Sequence, residues 1–430
     1  MKNLIPTTIL YLAVASIPFD TVIKISVARV TVTEMLFSVA IMMWIPKIVQ
    51  SQQILRFKPY LTPLLFFLGA CVFSLIHALN RLVVMRELLQ FMWLFVVFYF
   101  FVYAIRDKDQ KLLLWSILVL AAGLASCIGI YQYLFLREPI NFQVAETRLR
   151  AYGTYDQPNA FANFLIGVLP AVFGFYFLHS TQALTARDTV HPLIRILGKR
   201  WVIVSLVFVL STALVATFSR GSWIGMVGGF IVLGYFLRKK HVAAAFAKLI
   251  GVVALAAGII ALDLSVDKVV RDRSFSNVQR SLLIDAAFSM FKDYPIFGIG
   301  FGNFKDRLSS YSSTQLTGLL HKDYDHVTQR SFFNPNKQPD IELVHNTPLQ
   351  VAAETGIMGL AAFVWLFLVF YREALKRIRE SSSDHDYYFR VIMVTSVTAI
   401  LGSGMFGWPF THGIQEVLMM SMAMSVSPHG

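Results

Sequence analysis

The chain has 430 residues, 56% of them hydrophobic and only 15% charged, with a formal net charge of +13. That apolar share excludes an ordinary soluble globular domain. The basic residues are not interleaved into a recognised nucleic-acid-binding fold, so nucleic acid is not the expected partner.

Apolar runs of roughly 16 to 26 residues alternate with short charged segments, and about 20 apolar residues suffice for a helix to cross a bilayer. The expected fold is therefore an all-α polytopic membrane protein with about twelve transmembrane helices, and not a β-barrel. Spans are expected near residues 4–19, 30–46, 60–79, 88–105, 111–131, 157–178, 201–217, 222–237, 246–262, 345–370, 391–409 and 413–427. The first run, LIPTTILYLAVASIPF, lacks a small-residue cleavage site after it and reads as a span, not a removed signal peptide. Cys71 and Cys127 lie inside apolar runs, where they are expected to pack as small hydrophobes without a disulfide or metal role.

With both termini placed in the cytoplasm, the cytoplasmic segments hold 20 Lys and Arg residues, against 8 in the short segments outside. This is the asymmetry of the positive-inside rule, and it sets the orientation. The chain then divides into nine spans over 1–262, one long extracytoplasmic loop over 263–344, and three more spans over 345–430. The loop carries the remaining 10 basic residues. Long loops escape the topological rule, so these charges point to an anionic ligand on the outer side.

The first motif in chain order is RLRAYGTYDQPNAFANF, residues 148–164, which puts Arg148, Arg150 and Asn159 at the outer end of a span. These are candidate substrate contacts, set against a plain solvated turn in which Pro158 starts a helix. The second is ATFSRGSWIGM, residues 216–226, where Arg220 stands in a very short outer connection. An arginine there is either a snorkelling anchor or a functional cation at membrane depth.

Within the loop, Leu282, Leu283, Ala286, Ala287, Met290 and Phe291 recur at helical spacing, predicting a helix that Tyr294-Pro295 ends. Arg280 opens this helix and is a weaker third cationic candidate. The GIGFG that follows reads as a tight turn; a dinucleotide-binding interpretation fails for want of the strand and helix that should flank it. No regular structure is expected over 305–340. In HKDYDH, residues 321–326, the residues His321, Asp323, Asp325 and His326 offer a metal site of Asp-x-Asp type, weighed against a polar loop that yields such clusters easily.

The last motif, VHNTPLQVAAETGIMG, carries His345. Asn346 or Thr347 can cap a helix whose first turn holds Pro348, so His345 sits at a helix N-terminus, where anions are favoured and a protonated imidazole is not. It is either an interfacial histidine bonded to a carbonyl or a general base beside an anion site. Glu354, nine residues along, lies about 13 Å away at 1.5 Å per residue and is assigned no role with it. Gly356 and Gly359 read as a close helix-packing site.

Taken together, HNTPLQVAAETGIMG, FSRGSWIG, QRSLLIDAAFSMFKDYPIFGIGFGNF and GTYDQPNAFAN resemble blocks of the bacterial O-antigen ligase and polymerase superfamily, over about residues 148–363. The histidine motif fits its signature of His, then Asn, Ser or Gln, nine residues, Gly, two residues, and Gly, Thr or Tyr. The resemblance implies a GT-C-type glycosyltransferase bundle in the bacterial inner membrane, with its active site facing the periplasm. It implies a donor glycan on undecaprenyl diphosphate and, for a ligase, a sugar hydroxyl of the lipid A core as acceptor, with inversion at the anomeric carbon. On this reading His345 is catalytic and Arg220 and Arg280 bind the diphosphate. Arg148, Arg150, Asn159 and Asn346 are further substrate contacts, and neither metal nor cofactor is expected. A polymerase or a protein O-oligosaccharyltransferase of the same superfamily is the alternative. An exporter of lipid-linked glycan is the rival from another class; it predicts ionisable residues along a path through the bundle, where the mid-span sequence is nearly free of charge.

Overall fold

A computed structural model describes residues 4–19, 22–25, 28–50, 58–105, 107–139, 142–144, 148–180, 191–238, 243–263, 274–311, 322–325, 330–333, 343–411 and 413–427. Among them are α1 (Leu4–Ser16), β1 (Val22–Ile25), β2 (Ala28–Thr31), α2 (Val32–Gln50), α3 (Lys58–Phe73), α4 (Arg81–Ala104) and α5 (Lys108–Phe135). A small hairpin, β3 (Gln143–Val144) and β4 (Arg148–Leu149), precedes α6 (Pro158–Ser180), α7 (Pro192–Leu197), α8 (Arg200–Ala216), α9 (Arg220–Leu237) and α10 (Ala243–Asp263). Next come α11 (Ser274–Asp293), α12 (Phe304–Tyr311), the strands β5 (Lys322–Asp325) and β6 (Arg330–Phe333), α13 (Thr347–Arg379), α14 (Asp384–Ser403) and α15 (Ile414–Val426).

Seven of the described helices, α3 to α6, α9, α13 and α14, are long and apolar enough to cross a membrane, and five more, α1, α2, α8, α10 and α15, are apolar but shorter. They fall on the twelve expected segments, and the chain is an all-α polytopic membrane protein. Two details differ from the expectation. Cys127 lies on the exposed surface of the bundle, whereas Cys71 is buried. The 305–340 stretch carries α12 and the antiparallel pair β5–β6, with Lys322 opposite Phe333 and Asp325 opposite Arg330. Tyr324, Phe332 and Phe333 supply the β-favouring residues that composition alone did not single out. His321 and His326 of the Asp-x-Asp cluster lie outside the described residues, as do the side chains of Asp323 and Asp325.

Helix α14 is the central post. It packs on α9 so closely that a Cβ on Gly225 would lie 2.4 Å from the Ala399 carbonyl oxygen, and on α6, where one on Gly174 would meet Ile392 at 2.6 Å. Small residues at such crossings let backbones approach where no hydrophobic drive separates helix from lipid. At one end of α14 the buried Arg390 pairs with Asp386 at 3.0 Å and donates to the Ser427 carbonyl at 3.0 Å, fixing the end of α15. The other end opens onto the site.

Among the described residues the apolar interior falls into two clusters. The larger runs through the bundle from Leu10 to Val426. The smaller joins Leu283, Ala286, Ala287 and Met290 of α11 with Ile299, Phe304, Leu308, Val344 and Ala353. Thus α11 lays its predicted apolar face on α12 and on the first turns of α13. Together they form a separate packing unit.

Candidate active site

The α8–α9 connection is a strained turn. Phe218 has φ of 53°, a left-handed backbone that costs a non-glycine residue about 1–3 kcal/mol. Its neighbours hold it there: the Ala216 carbonyl accepts from Ala151 N at 2.9 Å, and the Thr217 carbonyl accepts from Arg150 Nε at 2.7 Å. Arg150 also donates from Nη2 to Asn159 Oδ1 at 2.9 Å, tying the turn to the start of α6. Below it, Ser219 and Ser222 hydroxyls share a 2.9 Å hydrogen bond, and Ser222 donates to Asn163 Oδ1 at 2.7 Å. The product of this scaffold is Arg220, exposed on the first turn of α9.

His345 is held by different means. Asn346 caps α13, its Oδ1 accepting from Leu349 N at 2.9 Å, as its sequence position predicts. Helix α13 then breaks at Gly356, whose φ is 68°. The expected close packing at this glycine is not with another helix: a Cβ there would lie 2.1 Å from the Ile296 carbonyl oxygen, in the turn after α11. The GIGFG segment wraps the break. Ile299 N donates to Ala353 O and Gly300 N to Glu354 O, both at 3.0 Å, while Ile357 N donates to Pro295 O at 2.8 Å. Glu354 is buried and accepts from Gly302 N at 3.0 Å and from Gln350 Nε2 at 3.3 Å, so it braces the break. The glycines at 298, 300 and 302 all have positive φ, which explains why this motif needs them. His345 itself adopts φ of 58° just before the cap.

These pieces converge on one polar cavity of about 340 Å³, lined by Arg150, Asn159, Arg220, Arg280 and His345 among others. Helices α6 and α9 begin at its wall, so two positive dipole ends join three guanidinium groups. No carboxylate lines it among the described residues. The cations feel one another: burial, and then the charge of Arg220, hold the Arg280 guanidinium below its ordinary value. Burial, and then the charge of Arg280, push the His345 imidazole down to about 4, so it is neutral at pH 7. Such a site can take an anion onto the arginines beside an imidazole able to accept a proton.

Five of the seven candidates from sequence therefore meet in one cavity. Arg148 and Asn346 do not line it. Arg148 donates to the Leu134 carbonyl at 3.2 Å and lies over the Tyr133 ring. Besides capping α13, Asn346 donates to Met405 O at 3.3 Å, and Thr347 Oγ1 donates to Gly407 O at 2.7 Å. Those two bonds pin the turn between α14 and α15 beside His345, and with it Phe406 and Trp408, which line the cavity and which sequence reasoning missed. Asn163, Ser219 and Ser222 were missed too; only the spatial meeting of α6 and α9 marks them.

Residues 205–364, which contain Arg220, Arg280 and His345, match the family model described as O-antigen ligase. No curated protein matches the chain.

Proposed function

We infer, from the match of residues 205–364 to the O-antigen ligase family model, that this chain is a glycosyltransferase of O-antigen ligase type working on the outer face of the bacterial inner membrane. Its donor is a glycan on undecaprenyl diphosphate and its acceptor a sugar hydroxyl of the lipid A core. The observation that carries this reading is the meeting of Arg220, Arg280 and His345 in one cavity without a carboxylate among its described lining residues.

The chemistry balances on these groups. The acceptor hydroxyl gives its proton to the His345 imidazole as its oxygen attacks the anomeric carbon. The bond from that carbon to the diphosphate oxygen breaks, and its electron pair leaves with undecaprenyl diphosphate. A diphosphate has low proton affinity and needs neutralisation more than an acid. The two arginines supply this by charge-assisted, bidentate contacts, with the helix N-termini behind them. Attack opposite the leaving group inverts the anomeric centre. A base of this kind contributes about 10²- to 10⁴-fold in rate.

The test is genetic and chemical together. Deleting the gene should leave lipopolysaccharide without O-antigen while lipid-linked polymer accumulates. Normal lipopolysaccharide in the deletion strain rejects the proposal, and loss of polymer length alone moves the activity to chain polymerisation.

A further inference from the structure

We propose that the turn between α14 and α15 is the platform for the acceptor sugar, with the Trp408 indole as its stacking surface. The proposal rests on the transfer reading above and assigns one wall of its cavity. Three observations carry it.

First, Trp408 and Phe406 bring aromatic surface to a wall whose other members are mostly polar, including the exposed Gln157. A pyranose ring has one apolar C–H face and a rim of hydroxyls. An aromatic face, negative by its quadrupole, attracts the C–H face, while amides serve the rim. A diphosphate has no use for an indole. Second, the Trp408 ring is braced rather than loose: it packs edge-on against Phe410 with centroids 5.3 Å apart, and Phe410 in turn packs against Phe91 and Phe363. Rigid aromatics lose little entropy on binding. Third, the turn is tied to the residues that follow the base, through Asn346 to Met405 O and Thr347 to Gly407 O. A sugar on Trp408 therefore has its position set relative to His345, which must reach the acceptor hydroxyl. The two arginines assigned to the diphosphate, Arg220 and Arg280, belong to other elements, α9 and α11. This division places the donor diphosphate with the arginines and the acceptor ring with the tryptophan.

The experiment uses the intact protein in nanodiscs and, as probe, core oligosaccharide freed of lipid A. Saturation-transfer NMR reads contact with the pyranose C–H groups, and steady-state transfer gives the acceptor and donor KM separately. Trp408→Ala should lose the saturation signal and raise the acceptor KM about tenfold or more, with the donor KM unchanged. Trp408→Phe should keep most of both, and retained donor binding shows that each variant is folded. An unchanged acceptor KM in Trp408→Ala, or a rise in the donor KM alone, overturns the proposal. If wild-type protein binds the oligosaccharide through Trp408 yet never transfers glycan to it, the platform stands and the ligase reading falls.

Discussion

Phe218 and His345 are the two described non-glycine residues with left-handed backbone, and both line the same cavity. One sets the turn that presents Arg220; the other is the candidate base. Strain of about 1–3 kcal/mol at each persists only where the surroundings over-determine it. Here the Arg150 clamp holds Phe218, and the Asn346 cap with the braced break at Gly356 holds His345. The two halves of the site thus hang on separate packing units, joined across the cavity.

Gly356→Ala tests that brace. The new Cβ would meet the Ile296 carbonyl at 2.1 Å in a backbone conformation that alanine resists, so the turn after α11 must move. Thermal unfolding of the purified protein should come at lower temperature, with a loss of roughly 1–3 kcal/mol or more. Transfer should fall with it, because α11 carries Arg280. Unchanged melting and unchanged transfer would show that the break is incidental.

Arg220→Lys keeps the charge but loses the planar fork. Turnover should drop by about 10²-fold, the scale of losing one preorganised donor to a developing charge. Equal turnover by the lysine variant at equal expression would reduce Arg220 to an interfacial anchor.

The pH dependence has a definite sign. A base must be neutral, so the rate falls as pH drops through the His345 pKa. In the free protein that value is about 4, and the acid limb of kcat/KM should lie well below the ordinary histidine range. Bound diphosphate adds negative charge and raises the value, so the limb of kcat should sit at higher pH. Since the Arg280 charge helps hold the imidazole down, Arg280→Gln should shift the kcat/KM limb upward. A limb that stays put in Arg280→Gln would mean that the titrating group is another.

If guanidinium groups and helix N-termini serve the diphosphate, as proposed, transfer should continue in EDTA. Loss of activity with chelator and its return with magnesium or manganese would move the diphosphate contact to a metal, with Asp323 and Asp325 the first candidates.

The bundle was legible because apolar length alone dictates a spanning helix, and the Asn346 cap and the Tyr294-Pro295 stop were legible because they are local chemistry. Arg220, Arg280 and His345 showed through as polar residues at the edges of apolar runs. What stayed hidden depends on contacts between distant positions. The break at Gly356 exists because the turn at Pro295 inserts there, some sixty residues away in sequence. Arg148 and Arg150 look equivalent in sequence. Their fates diverge because Thr217 and Asn159 lie within reach of one, while Leu134 and Tyr133 lie beside the other. Trp408 passed as one more aromatic in an apolar region.

In the proposed mechanism His345 takes the acceptor proton in a site where the arginines hold the donor. The most direct measurement is single-turnover transfer by His345→Gln, alongside its affinity for the lipid diphosphate. Glutamine can hydrogen-bond the acceptor hydroxyl but cannot accept its proton. Donor affinity should stay at the wild-type level while transfer slows by about 10²- to 10⁴-fold. Transfer at near the wild-type rate by the glutamine variant would contradict it and leave His345 as a positioning residue.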